Sequence, residues 1–138
     1  MTNIIEIFIP LIGFDNYHIS QLGRVKSISR KTSTNQLLKE RILKQATGTN
    51  GYKYVNCRSE NKSHTLYIHR IVAIHFLDNP NRLPQVNHKD GDKLNNTMYN
   101  LEWCDQSHNM IHAYKTGLQK SRKGENNPNY KHGKFIIP

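Results

Sequence analysis

The chain has 138 residues, with 20 Lys and Arg against 10 Asp and Glu, a formal net charge of +10 and a pI near 9.8. Only 36% of the residues are hydrophobic, so a thin core is expected, in one domain or in two small ones that share it, with no room for a large enzyme fold. No apolar run approaches the roughly 18–20 residues of a membrane span, which excludes a membrane protein. The first fifteen residues lack a basic stretch and carry Glu6 and Asp15, unlike a signal peptide. Two distant cysteines, Cys57 and Cys104, exclude a secreted disulfide scaffold and the paired spacing of a structural zinc site. Two buried thiols in a reducing compartment, the cytoplasm, are expected instead.

The charge is unevenly placed. Residues 1–58 hold nine Lys/Arg and three Asp/Glu, net +6; residues 59–113 hold five and six, net −1; residues 114–138 hold six and one, net +5. Basic flanks around a neutral centre stabilise a bound polyphosphate by ion pairing and counterion release, which makes nucleic acid the leading partner.

In chain order, residues 14–29 predict a hairpin, with Tyr17 and Ile19 alternating with polar positions, Gly23 at the turn, and Val25 and Ile28 after it. Residues 30–40 are polar and lysine-bearing and predict a loop. Three further strands are predicted in residues 41–47, 51–59 and 64–70, the second with Tyr52, Tyr54, Asn56 and Arg58 on one face and Lys53, Val55 and Cys57 on the other. From Ile68 the period becomes helical through Ile71, Val72, His75 and Phe76, ending at Asp78-Asn79-Pro80. Leu83 to Val86 then approach Asn87-His88, a polar loop follows with Asp90-Gly91-Asp92 and Asn95-Asn96, and Leu101 to Cys104 form a second short strand. Asp105 is the predicted N-cap of a helix to about Lys115. The remaining residues are basic and rich in Gly, Asn and Pro, as in an extended arm.

His88, Asn100 and Asn109 are spaced so that an imidazole and side-chain amides can surround one small pocket. Amide oxygens are hard ligands suited to Mg²⁺ or Mn²⁺, and a neutral imidazole can take a proton from an attacking water near neutral pH. These are the parts of a metal-assisted phosphodiester hydrolase. His69, His75 and His64 are expected to be satisfied structural histidines, Asp90 and Asp92 to form Asx turns, with Asp90 an outside candidate ligand, and Trp103 to be core.

The ordered motifs His69-Arg-Ile-Val-Ala-x-x-Phe76, Val86-Asn-His-Lys-Asp-Gly-Asp-Lys-x-Asn-Asn96, Asn100-Leu-Glu-Trp103 and Asn109 resemble the HNH endonucleases of phages and introns, which have a ββα-metal fold. Upstream, Tyr17-His-Ile-Ser-x-x-Gly-Arg-Val-Lys-Ser27 is similar to the small DNA-binding module that often precedes this nuclease. Downstream, residues 124–130 faintly resemble another accessory motif of these enzymes. The resemblance implies His88 as general base and Asn87 and Asn109 as ligands of a single Mg²⁺ or Mn²⁺ ion. It implies Asn100 as the residue holding the loop and the histidine. Asn87 departs from the aspartate of many members, so the cation is expected to bind weakly until a DNA phosphate completes the site. No helix-turn-helix of the kind that ends some relatives is expected in these residues.

The expected architecture is α+β: an N-terminal antiparallel β module (1–66) that binds DNA, an HNH nuclease core (67–117) entered through a helix, and a basic arm (118–138). The expected function is metal-dependent cleavage of double-stranded DNA by a monomer or weak dimer, with nicking as the single-site outcome. Arg24, Lys26, Arg30, Lys53, His112, Lys120, Arg122 and Lys123 are the expected DNA contacts, and Gln21 or Arg24 the base readers. The alternatives are a catalytically inactive DNA-binding module, favoured by Asn87, and an RNA-binding protein using Tyr52 and Tyr54 for base stacking.

Overall fold

The computed structural model describes residues 3–107. Residues 7–42 begin with β1 (Phe8–Pro10), which pairs antiparallel with β2 (Tyr17–Ser20). β2 turns back into β3 (Val25–Ser27) in the predicted hairpin, with Ile19 opposite Val25. Gly23 makes this turn possible, because its φ of +86° lies in the left-handed region that glycine enters without steric cost. Pairing of β3 with β6 (Arg41–Ile42) completes a sheet of order β1-β2-β3-β6. β1 was not foreseen, since its short apolar run has no clear period of two.

Between β3 and β6, the segment predicted as a loop is a small hairpin of β4 (Arg30–Lys31) and β5 (Leu37–Leu38). Its two pairs bury little, so no hydrophobic alternation marked them. The turn is held by polar atoms instead: Thr32 Oγ1 accepts from Gln36 N at 3.1 Å, and Asn35 takes a φ of 65°. The predicted strand over 41–47 is also two elements. β6 belongs to the first sheet, whereas β7 (Ala46–Thr47) pairs with β8 (Lys53–Ser59). Leu43 packs against the core between them, and Gln45 Nε2 donates to Gly23 O at 2.7 Å, so the segment straps one sheet to the other.

β8 and β9 (Lys62–Tyr67) form a long hairpin, with Val55 and Cys57, predicted to share one face, buried. β9 runs straight into α1 (Ile68–Phe76), where the period shift at Ile68 placed it. The helix starts without a side-chain cap and is held by burial of Ile68, Ile71, Val72 and Ala73. Full burial of such a side chain contributes about 1.5–3 kcal/mol. The chain then forms β10 (Gln85–His88) and, after a loop and a 3₁₀ turn (Met98–Asn100), β11 (Leu101–Cys104), which pair antiparallel.

The described residues are thus an α+β arrangement of small antiparallel sheets around one helix. A single apolar cluster joins Leu11, Tyr17, Ile19 and Val25 to Val55, the helix, Val86 and Leu101. Tyr17 adds a polar tie between the sheets, its hydroxyl accepting from Arg58 N at 3.1 Å. Both cysteines are buried and unpaired, and burial pushes each thiol up to about 11, so neither is ionised at neutral pH. Among the described residues no helix is long and apolar enough to cross a membrane.

Candidate active site

The β10–β11 hairpin brings Asn87 and His88 to the end of a strand, where both side chains are buried. The loop between the strands is folded by its own polar side chains. Asp92 N donates to Asp90 Oδ1 at 2.8 Å and Leu94 N to Asp92 Oδ1 at 3.0 Å, the Asx turns expected of these residues. Asn95 Nδ2 donates to Asp90 Oδ2 at 2.8 Å. These donors, with Asn95 foremost, hold the Asp90 carboxyl below the usual carboxylate range. Asp90 is therefore engaged in shaping the loop.

Asn100 is the keystone of that loop. Its Oδ1 accepts from Asp90 N at 3.1 Å, while its Nδ2 donates to Asp90 Oδ1 and to Asn95 O, both at 2.8 Å. It does not hold the histidine. Asn96 does so: its Oδ1 lies 2.7 Å from His88 Nε2, and both residues are only 5% exposed. An amide oxygen can only accept, so Nε2 carries the proton and the neutral ring has its lone pair on Nδ1. Burial lowers the His88 pKa below the ordinary histidine value, although the Asn96 hydrogen bond and the charges of Asp90 and Asp92 pull the other way. The ring is neutral at physiological pH and able to accept a proton.

The histidine sits in an aromatic stack that the sequence did not reveal. Tyr52 lies 4.5 Å from the His69 ring and 5.9 Å from the His88 ring, near parallel to both, and the two imidazoles are 5.3 Å apart. The expectation that His69 is a satisfied structural residue is overturned. Its Nδ1 is buried without a hydrogen-bond partner, and burial, with His88, Arg70 and Lys93 adding to it, pushes its pKa down to about 4. Its place at the second position of α1, after a strand that ends beside Tyr52, brings it there, and helical period alone does not show which residues of another strand it faces. His75 is satisfied, bonding Ile71 O at 2.7 Å and accepting from Ile12 N at 3.0 Å. Lys93, also unforeseen, lies 4.6 Å above the Tyr52 ring and donates to Asn50 O at 2.9 Å.

Asn87 faces Glu102 across the strand pair and donates to its Oε1 from Nδ2 at 2.8 Å. The amide oxygen and the carboxylate are hard donors of the kind that suit Mg²⁺ or Mn²⁺. Among the described residues, no three or more His, Cys, Asp or Glu gather as a metal-holding group. Asn109, His112, Lys120, Arg122 and Lys123 lie outside the described residues.

The basic residues of the N-terminal sheet have partners within the protein. Arg24 forms a bidentate ion pair with Glu6, Lys26 lies 3.4 Å from Glu40 and 4.4 Å above the Phe8 ring, and Arg30 donates to Ser27 Oγ at 2.9 Å. Lys53 is half-buried in β8. Gln21 is 5% exposed, and its amide clamps the backbone of Ile5 and Ile7, so it is not placed to read bases and that expectation is withdrawn.

The chain as a whole has known relatives. Residues 6–58 match the NUMOD4 motif. DNA endonuclease I-HmuI of Bacillus phage SP01 is 33% identical over 88% of the chain, and an uncharacterized HNH endonuclease of Acanthamoeba polyphaga mimivirus is 41% identical over 78%. A solved structure, described as DNA binding and cleavage by the HNH homing endonuclease I-HmuI, superposes over 83% of the chain with a TM-score of 0.65 and 30% identity. Over most of its length the chain is similar to HNH homing endonucleases. It spans 65% of I-HmuI and 29% of the mimivirus protein, and 62% of the chain in the solved structure.

Proposed function

We propose that the chain is an HNH endonuclease that hydrolyses a phosphodiester of double-stranded DNA in a divalent-cation-dependent reaction. The observation that carries this reading is the state of His88: buried, neutral, and tied through Nε2 to Asn96 so that Nδ1 is the basic atom. In the proposed reaction His88 Nδ1 takes a proton from water, and the water oxygen attacks phosphorus. The bond to the 3′ oxygen breaks, leaving a 5′ phosphate and a 3′ hydroxyl once that oxygen takes a proton from solvent. Asn87 and Asn109 would hold Mg²⁺ or Mn²⁺, which would offset negative charge on the reacting phosphate. Asn100 keeps the loop folded, so that Asn96 stays in reach of the imidazole. The Tyr52 and His69 rings restrict its rotation.

The basic flanks supply the affinity for DNA, with Arg24, Lys26, Arg30 and Lys53 from the described residues and His112, Lys120, Arg122 and Lys123 beyond them. Arg24 and Lys26 exchange an internal carboxylate for a phosphate when they engage, which reduces their net contribution. One site in one chain cuts one strand, so a monomer nicks DNA, a dimer would be needed to cut both strands, and the enzyme acts in the cytoplasm of a host cell. Supercoiled plasmid incubated with Mg²⁺, Mn²⁺ or chelator tests the reading. Metal-dependent nicking is expected, and H88A is expected to lower its rate about 10²–10⁴-fold without loss of DNA binding. DNA retardation without cleavage under any metal would show a binding module instead.

A further inference from the structure

Asn87 and Glu102 are directly opposed across β10 and β11, and the hydrogen bond between them runs from Asn87 Nδ2 to Glu102 Oε1 at 2.8 Å. A carboxylate oxygen cannot donate at neutral pH, so this contact fixes which end of the amide faces which way: nitrogen toward Glu102, oxygen away from it. Asn87 is 4% exposed, so protein encloses the amide in that orientation. The two ends of an asparagine are nearly equal in size, and packing alone does not choose between them. A flipped amide would turn two N–H donors toward a cation and repel it. The same bond also places a formal negative charge beside an amide that has none, and an N–H donated to an anion shifts electron density onto the amide oxygen.

We propose that Glu102 is a positioning residue for the cation site, turning the Asn87 oxygen toward the cation and lending the charge that asparagine lacks. The pair then acts in place of a single aspartate. This rests on the reading of Asn87 as a cation ligand. It also changes the expectation for the free protein, because a carboxylate is already next to the ligand before any DNA phosphate arrives.

Mn²⁺ titration of the full chain, followed by electron paramagnetic resonance with and without a cleavage-resistant phosphorothioate duplex, tests it without relying on turnover. E102Q keeps an acceptor and removes the charge, and about tenfold weaker Mn²⁺ binding is expected. E102A removes both and is expected to weaken binding up to about 100-fold. In the N87D background two carboxylates face each other, so adding E102Q is expected to leave affinity unchanged or improved. That reversal of sign is something a merely structural role would not produce, and N87D/E102Q keeps the test decisive should E102A fold poorly. If the Glu102 variants bind Mn²⁺ like the parent while N87A abolishes binding, Glu102 has no such role and the reading of Asn87 stands. If N87A leaves Mn²⁺ binding intact, or the parent binds none under either condition, the reading of the site itself fails.

Discussion

Two hairpins of this protein solve the same problem with different materials. The β2–β3 hairpin closes over a short turn at Gly23 and is held by apolar pairs such as Ile19 opposite Val25, both fully buried. The β10–β11 hairpin closes over residues 89–100, and amides and carboxylates fold that loop: Asp90, Asn95 and Asn100. The first is a stabilising device whose cost of change is paid in burial. The second gives up packing for direction, since the hydrogen bond from the buried imidazole to Asn96 fixes its tautomer. They also touch, because a Cβ at Gly23 would lie 2.8 Å from Asn96 O, and Met98 N donates to Gln21 O at 2.7 Å.

The sharpest way to break this contrast is N100A. It removes three side-chain hydrogen bonds of a buried residue and leaves their partners in need of water, so a loss of about 2–4 kcal/mol is expected in denaturant unfolding. Nicking should fall further than stability accounts for, as the loop carrying Asn96 loosens. An unchanged nicking rate in folded N100A would show that the loop network does not position His88.

The contact between the hairpins is next. G23A and G13A both place alanine at a φ of +86°, but a Cβ at Gly13 meets nothing within 4 Å. G13A is expected to cost about 1–2 kcal/mol, from conformation alone. G23A should cost about 2–4 kcal/mol, the excess being the displacement of Asn96. Equal melting temperatures for the two variants would mean that the turn and the 89–100 loop are mechanically independent.

A further effect concerns pH. His69 is held neutral in the fold, with a pKa near 4 against the ordinary 6.5. As pH falls through 6.5 the unfolded chain gains a proton that the folded one refuses. Stability is therefore lost between about pH 6.5 and 4, and this loss levels off below. H69F keeps a ring in the stack and removes the titration, so its melting temperature should decline less over that window. Parallel declines in parent and variant would show that His69 does not contribute to the pH dependence.

How much of this could be read beforehand follows from the same contrast. Apolar periodicity located the β2–β3 hairpin and the start of α1, because burial leaves a period in the sequence. The β4–β5 hairpin left no such trace, and neither did the division of residues 41–47 between two sheets, since two-residue pairings bury almost nothing. For the site, motif order pointed to Asn87 and His88 and to the role of Asn100 in the loop. It did not single out Asn96 as the acceptor of the imidazole proton, because neighbouring asparagines in a loop look alike until the backbone turns them. Nor did it reveal the Tyr52–His69–His88 stack, whose three members come from separate elements.

The uncapped junction between β9 and α1 has a consequence for how the chain is made. At nine residues, the helix is shorter than the roughly 12–15 that an isolated helix needs to be even marginal in water. Its apolar side is covered in part by Val86 and Leu101, which lie downstream. During synthesis, residues 68–76 therefore leave the ribosome before this part of their cover exists. It arrives only when the following thirty or so residues have emerged, so the hairpin that carries His88 also supplies the late side of the helix's packing.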